Sequence, residues 1–480
     1  MQITNKTVTS NMLWRFLERC GAQGVTFVVS IILARLLEPE VYGTIALVTV
    51  FTTILSVFVD SGLGSALIQK KQADDLDFST VFYFNLAFSM IMYLAMFFSA
   101  PLIAKFYEND ELVPIIRVLS LILLVSGVRN VQQAYVSRKL MFKKFFYVSL
   151  VGSIVSGVVG IALAYVGFGV WALVYQSIIS AVASVGVLWA IVEWRPKLMF
   201  SFGRLKGLFS YGWKLLVSSL IDTVYNDLRT LIIGKMYSPA DLAFYNKGRT
   251  FPNMITTNIN SSIDSVLLPT MSNVQDSKES VKAMTRRAIK TATYVMMPMM
   301  MGLAVCAEPF VKLLLTEKWL SCVPYLRIFC FVFAFFPMQT ANLNAIKAMG
   351  RSDLFLKLEI IKKILGLVLL FCSMWHSVMA MAYTLIISTV LSQLINSWPN
   401  KKLMDYSYLE QIKDISENIF LSVIMGAVVY LISLLSLPAI LILVIQIICG
   451  ISIYVAGSIV FKIETFNYLL KMIKSFKKKV

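Results

Sequence analysis

Histidine is almost missing from this chain. His376 is the only one in 480 residues, so no multi-histidine metal site can be assembled. Cysteine is sparse too: Cys20, Cys306, Cys322, Cys330, Cys372 and Cys449 lie in or beside apolar runs, without a C-x-x-C pair, and read as small membrane-buried residues, neither zinc ligands nor disulfides. No G-x-x-x-x-G-K-[ST] loop occurs, and Gly62-Leu63-Gly64 lacks the third glycine and the strand of a dinucleotide site. Neither metal nor cofactor is expected. Long polar segments are absent as well. The longest, around Ser272 to Arg287, is too short to fold into a catalytic domain. The N-terminus MQITNKTVTSNMLWRFLERC lacks an A-x-A cleavage site and carries charges inside its first apolar run, so the first helix is expected to stay.

Charged residues make up only 15% of the chain and hydrophobic ones 58%, with a mean hydropathy of +0.76. Soluble domains carry about a quarter charged residues, so a soluble globular reading fails. Apolar runs of about 20 residues, enough to cross the hydrocarbon core as a helix, recur along the whole chain. Their positions predict about fourteen spans, at 12–36, 43–68, 79–104, 112–136, 146–167, 170–192, 211–236, 243–271, 288–315, 323–348, 354–375, 377–398, 415–436 and 438–461.

Lys and Arg number 44 against 26 Asp and Glu, a net charge of +18. In a soluble protein that would suggest nucleic acid; here it reads as topology. One set of alternate loops holds Lys70 and Lys71; Arg138, Lys139, Lys143 and Lys144; Arg195, Lys197, Arg204 and Lys206; Lys278, Lys282, Arg286, Arg287 and Lys290; Lys347, Arg351 and Lys357; Lys401 and Lys402. The opposite set is poor in cations and carries Glu38, Glu40, Glu108, Asp110, Glu111, Glu308 and Glu317. The positive-inside rule makes the basic set cytoplasmic and puts both termini inside, with the basic tail KMIKSFKKKV as a last anchor.

A weak internal repeat is visible. ARLLEPEVYGTIALVTVF is echoed by GKMYSPADLAFYNKGRTF, so Pro39 and Pro239 each open a turn between long apolar runs, and Asp60-Ser61 is echoed by Asp264-Ser265. The fold class expected is an all-α integral membrane protein of about fourteen transmembrane helices. Its plan is an N-lobe at 1–194 (helices 1–6), a cytoplasmic linker at 195–208, a C-lobe at 209–400 (helices 7–12), and helices 13 and 14 with the tail at 401–480. An even-numbered repeat relates the lobes by an axis along the membrane normal.

Ionisable groups at membrane depth are costly, so they mark functional candidates. Span 1 aligns Arg15, Arg19 and Gln23 at i, i+4, i+8, as snorkelling cations or as a cavity stripe. Span 7 carries Lys214 near its inner end, then Asp222, Asn226 and Arg229 at i, i+4, i+7 with Tyr225 and Asp227 beside them. That spacing suits a cavity-lining stripe, the alternative being a structural Asp–Arg pair. Span 8 is rich in amides, including Asn253, Asn258 and Asn260, which either bond sugar hydroxyls or glue helices, and it also holds Asp264. Asp60 stands alone in span 2, as a coupling-ion site or as the partner of an Arg on span 1. Arg129, Gln132, Gln133 and Arg138 make the inner half of span 4 polar enough to face a vestibule.

The segments ILARLLEPEVYGTIALVTVF, VDSGLGSALIQKK, SRKLMFKKFFYVSL and GSIVSGVVGIALAYVGFGVWALVYQS resemble polysaccharide flippases of the Wzx type. The likeness is to the colanic-acid-exporter-like branch of the multidrug/oligosaccharidyl-lipid/polysaccharide (MOP) superfamily, strongest over residues 10–270. It implies a MATE-like, two-lobed bundle that moves undecaprenyl-diphosphate-linked repeat units across the bacterial inner membrane by alternating access, for exopolysaccharide, capsule or O-antigen assembly. It also implies a cationic cavity lined by helices 1, 2, 7 and 8, where Arg15, Arg19, Asp60, Lys214, Asp222, Arg229 and Asp264 match by helix position. The substrate-binding candidates are therefore Arg15, Arg19, Gln23, Lys214, Asn226, Arg229 and Asn253. Asp60, Asp222 and Asp264 are candidates for a coupling ion or a structural pair, with Asp227 beside them. The expected partners are a lipid-linked oligosaccharide, membrane lipids and polysaccharide polymerase machinery, the chain itself being a monomer and not an enzyme. Two other readings stand beside it: a cation-coupled multidrug exporter of the same superfamily, and a membrane polysaccharide polymerase or ligase.

Overall fold

The computed structural model describes the backbone of residues 5–435 and 437–477, and the side chains of these except 5–20, 262, 265, 266, 472, 473 and 475–477. The side chains of Arg15, Arg19 and Cys20 thus lie outside the described residues.

Among the described residues every regular element is helical. In chain order they are α1 (Asn5–Leu36), α2 (Pro39–Asp60), α3 (Leu63–Gln69), α4 (Asp75–Tyr107), α5 (Leu112–Leu119), α6 (Leu121–Arg138), α7 (Phe142–Tyr165), α8 (Val170–Ile191), α9 (Phe202–Met236) and α10 (Pro239–Ser272). There follow α11 (Lys278–Val305), α12 (Ala307–Leu315), a 3-10 turn (Glu317–Cys322), α13 (Val323–Ala334), α14 (Phe336–Ala348), α15 (Ser352–Ser373), α16 (Val378–Met404), α17 (Tyr408–Ile432), α18 (Ala439–Val460) and α19 (Glu464–Lys477).

Among the described residues ten stretches are long and apolar enough to cross a membrane, and Gly21–Leu36 of α1 is a shorter apolar one. The expected spans not among the ten are those of α1, α9, α10 and α15. α9 and α10 carry the polar residues noted above, and α15 carries Lys357, Glu359, Lys362 and Lys363. Hydropathy averages a helix over all its faces, so a helix with one polar face scores low even when its other face is apolar. Four expected spans are broken helices. Ser61 (φ 52°) and Gly62 (φ 65°) separate α2 from α3, Ser120 separates α5 from α6, Cys306 separates α11 from α12, and Phe335 separates α13 from α14.

Burial is inverted relative to a soluble protein. Phe98 and Leu102 are each 71% exposed, whereas Asn85, Gln132, Asn342 and Asn396 are fully buried. With hydrocarbon as the solvent, apolar groups gain little by turning inward and polar groups are shielded from it inside the bundle. This is a multi-pass helical membrane protein.

The chain forms two compact units, Met1–Ala243 and Phe244–Val480. In the first, α7 packs on α1 and α8 through a stripe of small residues. A Cβ on Gly152, Gly157 or Gly160 would crowd Ser184, Val29 or Gln176, so these glycines set the close approach of the helices. The start of α4 is fixed by a capping box, Asp74 accepting from the Asp77 backbone at 3.0 Å and Asp77 from the Asp74 backbone at 3.2 Å. α9 lies along α2 and α3. The segment after α8 is tied to α4 before α9 begins: Lys197 N–H donates to Ser79 at 3.0 Å, Ser201 N–H to Thr80 at 3.1 Å, and Trp194 to Asp75 at 3.2 Å.

The second unit holds a buried polar network. Asn342 donates to Gln411 at 2.8 Å, Asn400 to Asn342 at 2.8 Å, and Ser397 to Gln411 at 3.1 Å, which joins α14, α16 and α17 away from lipid. Among the described residues no group of His, Cys, Asp and Glu is placed to hold a metal ion.

Candidate functional site

The candidate residues divide between the two units. Gln23, Asp60, Lys214, Asp222, Asn226 and Arg229 belong to the first, Asn253 and Asp264 to the second.

In the first unit the framework is the α2–α9 contact. At one end, the backbone carbonyl of Gly212 stands where a Cβ on Gly62 would be; at the other, the Pro239 carbonyl occupies the corresponding place for Gly43. Gly234 abuts Leu47 between them. Asp60 precedes Gly62 by two residues and Lys214 follows Gly212 by two, so the glycine contact brings both to one level of the unit. α9 buries Leu208, Gly212, Thr230 and Ile233, leaving Lys214, Asp222 and Asn226 exposed and Arg229 half-buried. Asp222, Tyr225, Asp227 and Arg229 each have an interaction partner. Lys214 and Asn226 form no side-chain hydrogen bond or ion pair among the described residues. Hydrocarbon solvates neither an ammonium nor an amide, so uncovered groups of this kind call for water or a ligand. Gln23, half-buried on α1, is also engaged.

The cation that acts electrostatically on Asp60 is Arg129 of α6. Arg129 keeps its Nε buried without a hydrogen-bond partner among the described residues. Of the other polar groups of span 4, Gln133 is half-buried, while Gln132 and Arg138 bond backbone carbonyls of the unit and so face no vestibule with those groups. Gln132 is fully buried and donates to the Trp194 carbonyl at 3.0 Å. Arg138 reaches the carbonyls of Leu67 (2.8 Å), Ile68 (3.0 Å), Lys70 (2.6 Å) and Lys71 (3.0 Å), closing the C-terminus of α3. Orphan carbonyls at a helix end attract a guanidinium by hydrogen bonding and by the helix dipole together.

In the second unit Asp264 accepts from Asn344 of α14 at 2.7 Å. Asn253 is half-buried, Asn258 donates to the Met254 carbonyl at 2.9 Å, and the buried Asn260 has an unpartnered carbonyl oxygen. Lys247 is buried over the Trp319 ring at 5.3 Å. An apolar groove of about 460 Å³ runs between α11, α17 and α18, lined by Met299, Leu303, Phe310, Val429, Ile447 and Ile451 among others.

Among the ionisable groups that the sequence reading did not single out are three on one helix. Glu359, Lys362 and Lys363 lie on α15 at i, i+3, i+4, with Lys362 bonded to Glu359 at 2.5 Å and its side chain 12% exposed. Their spacing was a visible signal of a polar stripe.

Residues 32–324 match the family described as "Polysaccharide biosynthesis protein". The chain is 27% identical over 326 residues to the succinoglycan biosynthesis transport protein ExoT of Rhizobium meliloti (strain 1021), covering 68% of this chain and 66% of that one. It is 24% identical over 388 residues to the teichuronic acid biosynthesis protein TuaB of Bacillus subtilis (strain 168), covering 80% of each. It is also 24% identical over 373 residues to the lipopolysaccharide biosynthesis protein WzxC of Escherichia coli (strain K12), covering 76% of this chain and 74% of that one. Among solved structures, the lipid II flippase MurJ in an inward closed conformation superposes with a TM-score of 0.73 at 15% identity, over 94% of this chain and 98% of that one. An inward-facing multidrug resistance MATE family transporter of the MOP superfamily gives 0.59 at 14% identity, over 82% and 99%. At these identities the structural likeness is one of fold. It bears out the MOP-type helical bundle expected from the sequence.

Proposed function

The chain belongs to the polysaccharide biosynthesis protein family, and on that premise we propose that it is a flippase for lipid-linked oligosaccharide. It moves undecaprenyl-diphosphate-linked repeat units from the inner to the outer leaflet of a bacterial cytoplasmic membrane by alternating access. Both termini are cytoplasmic, the chain works as a monomer, and it makes or breaks no covalent bond.

The observation that carries this reading is Lys214, uncovered on α9 and without an ion pair among the described residues. A fixed cation in a low-dielectric, wet recess suits a diphosphate, because charge-assisted hydrogen bonds strengthen as water is excluded. Asn226, about 18 Å further along α9, offers the paired donor and acceptor that a sugar hydroxyl needs, and Asn253 of the second unit carries the same chemistry. The apolar groove of the second unit suits a polyprenyl tail, which gains nothing by leaving hydrocarbon. Arg15, Arg19, Gln23 and Arg229 complete the set of headgroup ligands. Asp60, facing Arg129, and Asp222 and Asp264 remain the candidates for coupling-ion sites. Polysaccharide polymerase machinery would take the product.

The reading is tested in a strain that lacks this gene and still makes the lipid-linked unit. The intact gene restores surface polymer, whereas Lys214→Ala and Arg229→Ala do not at equal protein level, and Lys at position 229 restores part. Full restoration by both alanine variants overturns the site. A multidrug exporter would instead lower the accumulation of cationic dyes, an activity a lysine-bearing recess opposes by like-charge repulsion.

A further inference from the structure

The N-terminal part of α11 carries Lys278, Lys282, Arg286, Arg287 and Lys290, and then no charge from Thr291 to Val305. α18 likewise has no charge from Ala439 to Val460, and Lys462 and Glu464 follow it. The two transitions meet side by side. Lys290 pairs with Glu464 at 3.3 Å, while one turn further into the apolar zone Tyr294 bonds Ser458 at 2.7 Å. The contact therefore sits at the depth where hydrocarbon gives way to headgroups.

A cavity of about 290 Å³ opens there, lined by Arg286, Arg287, Lys290, Glu464, Thr465 and Tyr468 among others. Its cations are not equally occupied. Arg286 is held by Asp414, with contacts of 2.9 and 2.5 Å, and Asp414 is held in turn by Tyr406 at 2.8 Å. The Lys290–Glu464 pair is weak, since the Glu464 side chain is 84% exposed. Arg287 has no carboxylate partner among the described residues; it lies 5.2 Å over the Tyr468 ring, with its fork of donors uncommitted. Tyr468 belongs to α19, an amphipathic helix that rests on the second unit through Phe466 and Leu469 and carries the exposed Lys471 and Lys474 on its next turns.

We infer that this cavity binds the phosphate of an anionic phospholipid in the adjoining leaflet. Arg287 and Lys290 donate to it, Glu464 gives up Lys290 when it enters, and the bound lipid holds α19 against α11. The lipid is the source chosen because the cavity lies at headgroup depth beside bare apolar helix. The site is independent of what the transport path carries.

The test is native mass spectrometry of the purified full-length protein with phosphatidylglycerol and phosphatidylcholine of identical acyl chains. The expected result is preferential retention of phosphatidylglycerol. The double variant Arg287→Gln/Lys290→Gln should lose the preference by about tenfold, the worth of one charge-assisted pair. Lys71→Gln/Lys139→Gln, equal in charge change but in the first unit, should keep it. Glu464→Gln frees Lys290 and should raise retention, a gain that misfolding cannot produce. The inference is overturned if the double variant retains the preference, if the control loses as much, if Glu464→Gln brings no gain, or if millimolar inorganic phosphate displaces the lipid and so identifies free phosphate as the occupant.

Discussion

The backbone carbonyl of Gly212 occupies the space that a Cβ on Gly62 would need, so α9 touches the α2–α3 junction backbone to backbone. Gly62 also has φ +65°, a conformation costly for any residue with a Cβ. Gly62→Ala should therefore lower stability by about 2 to 5 kcal/mol, the sum of left-handed strain and overpacking. Gly186 has nothing within 4 Å of its would-be Cβ, and Gly186→Ala should leave the melting temperature unchanged or slightly raised. Thermal unfolding of the two purified variants checks the contrast; equal melting temperatures would contradict it.

Cations in this protein do two different jobs, and substitution separates them. Arg138→Ala strips four carbonyls of their donor and should destabilise by about 1 to 3 kcal/mol, with part returned by Lys. Transport per folded molecule should hardly change.

Lys214→Ala and Asn226→Ala should do the reverse. Neither side chain bonds another described group, so melting should move by less than about 0.5 kcal/mol while polymer export falls by about tenfold or more. Export at the wild-type rate from stable, equally expressed variants would remove both residues from the substrate path.

The apolar runs were readable because hydrocarbon imposes a length and a composition on every span. The polar stripe of α9 was readable because its residues are close in sequence and share a helical face. Pro337 in the first turn of α14 marks the break at Phe335, but the break at Ser120 was not readable, since it lies within a continuous apolar run without proline or glycine beside it. Nor was the use of particular cations. Arg138 and Lys144 look like topology signals, yet Arg138 closes α3 from about 70 residues away and Lys144 donates to the Ile191 carbonyl at 2.6 Å. Such pairings depend on which helices become neighbours, and a linear pattern does not carry that.

The acidic turn before α4 predicts a pH dependence. The hydrogen bond from the Asp77 backbone is the largest influence holding Asp74 below the ordinary carboxylate range; Arg204 and Lys70 add to it. A carboxylate depressed in the folded state contributes stability above its unfolded pKa of about 3.9, and that contribution is lost as pH falls through the folded value. Melting temperature should thus hold steady from neutral pH to about 5 and drop below about 4. Asp74→Asn should begin lower and flatten that acid limb. An unchanged acid limb in the variant would mean that Asp74 is not a source of it.

The account rests on movement of a lipid-linked sugar between leaflets. Cells depleted of this protein, still synthesising radiolabelled undecaprenyl-diphosphate oligosaccharide, can be treated as intact spheroplasts with a membrane-impermeant glycan-cleaving reagent. The prediction is that the labelled lipid becomes protected on depletion, and accessible again on return of the intact gene but not of Lys214→Ala. Normal accessibility in depleted cells, with no other flippase expressed, would contradict the central claim and leave the family fold serving a different cargo.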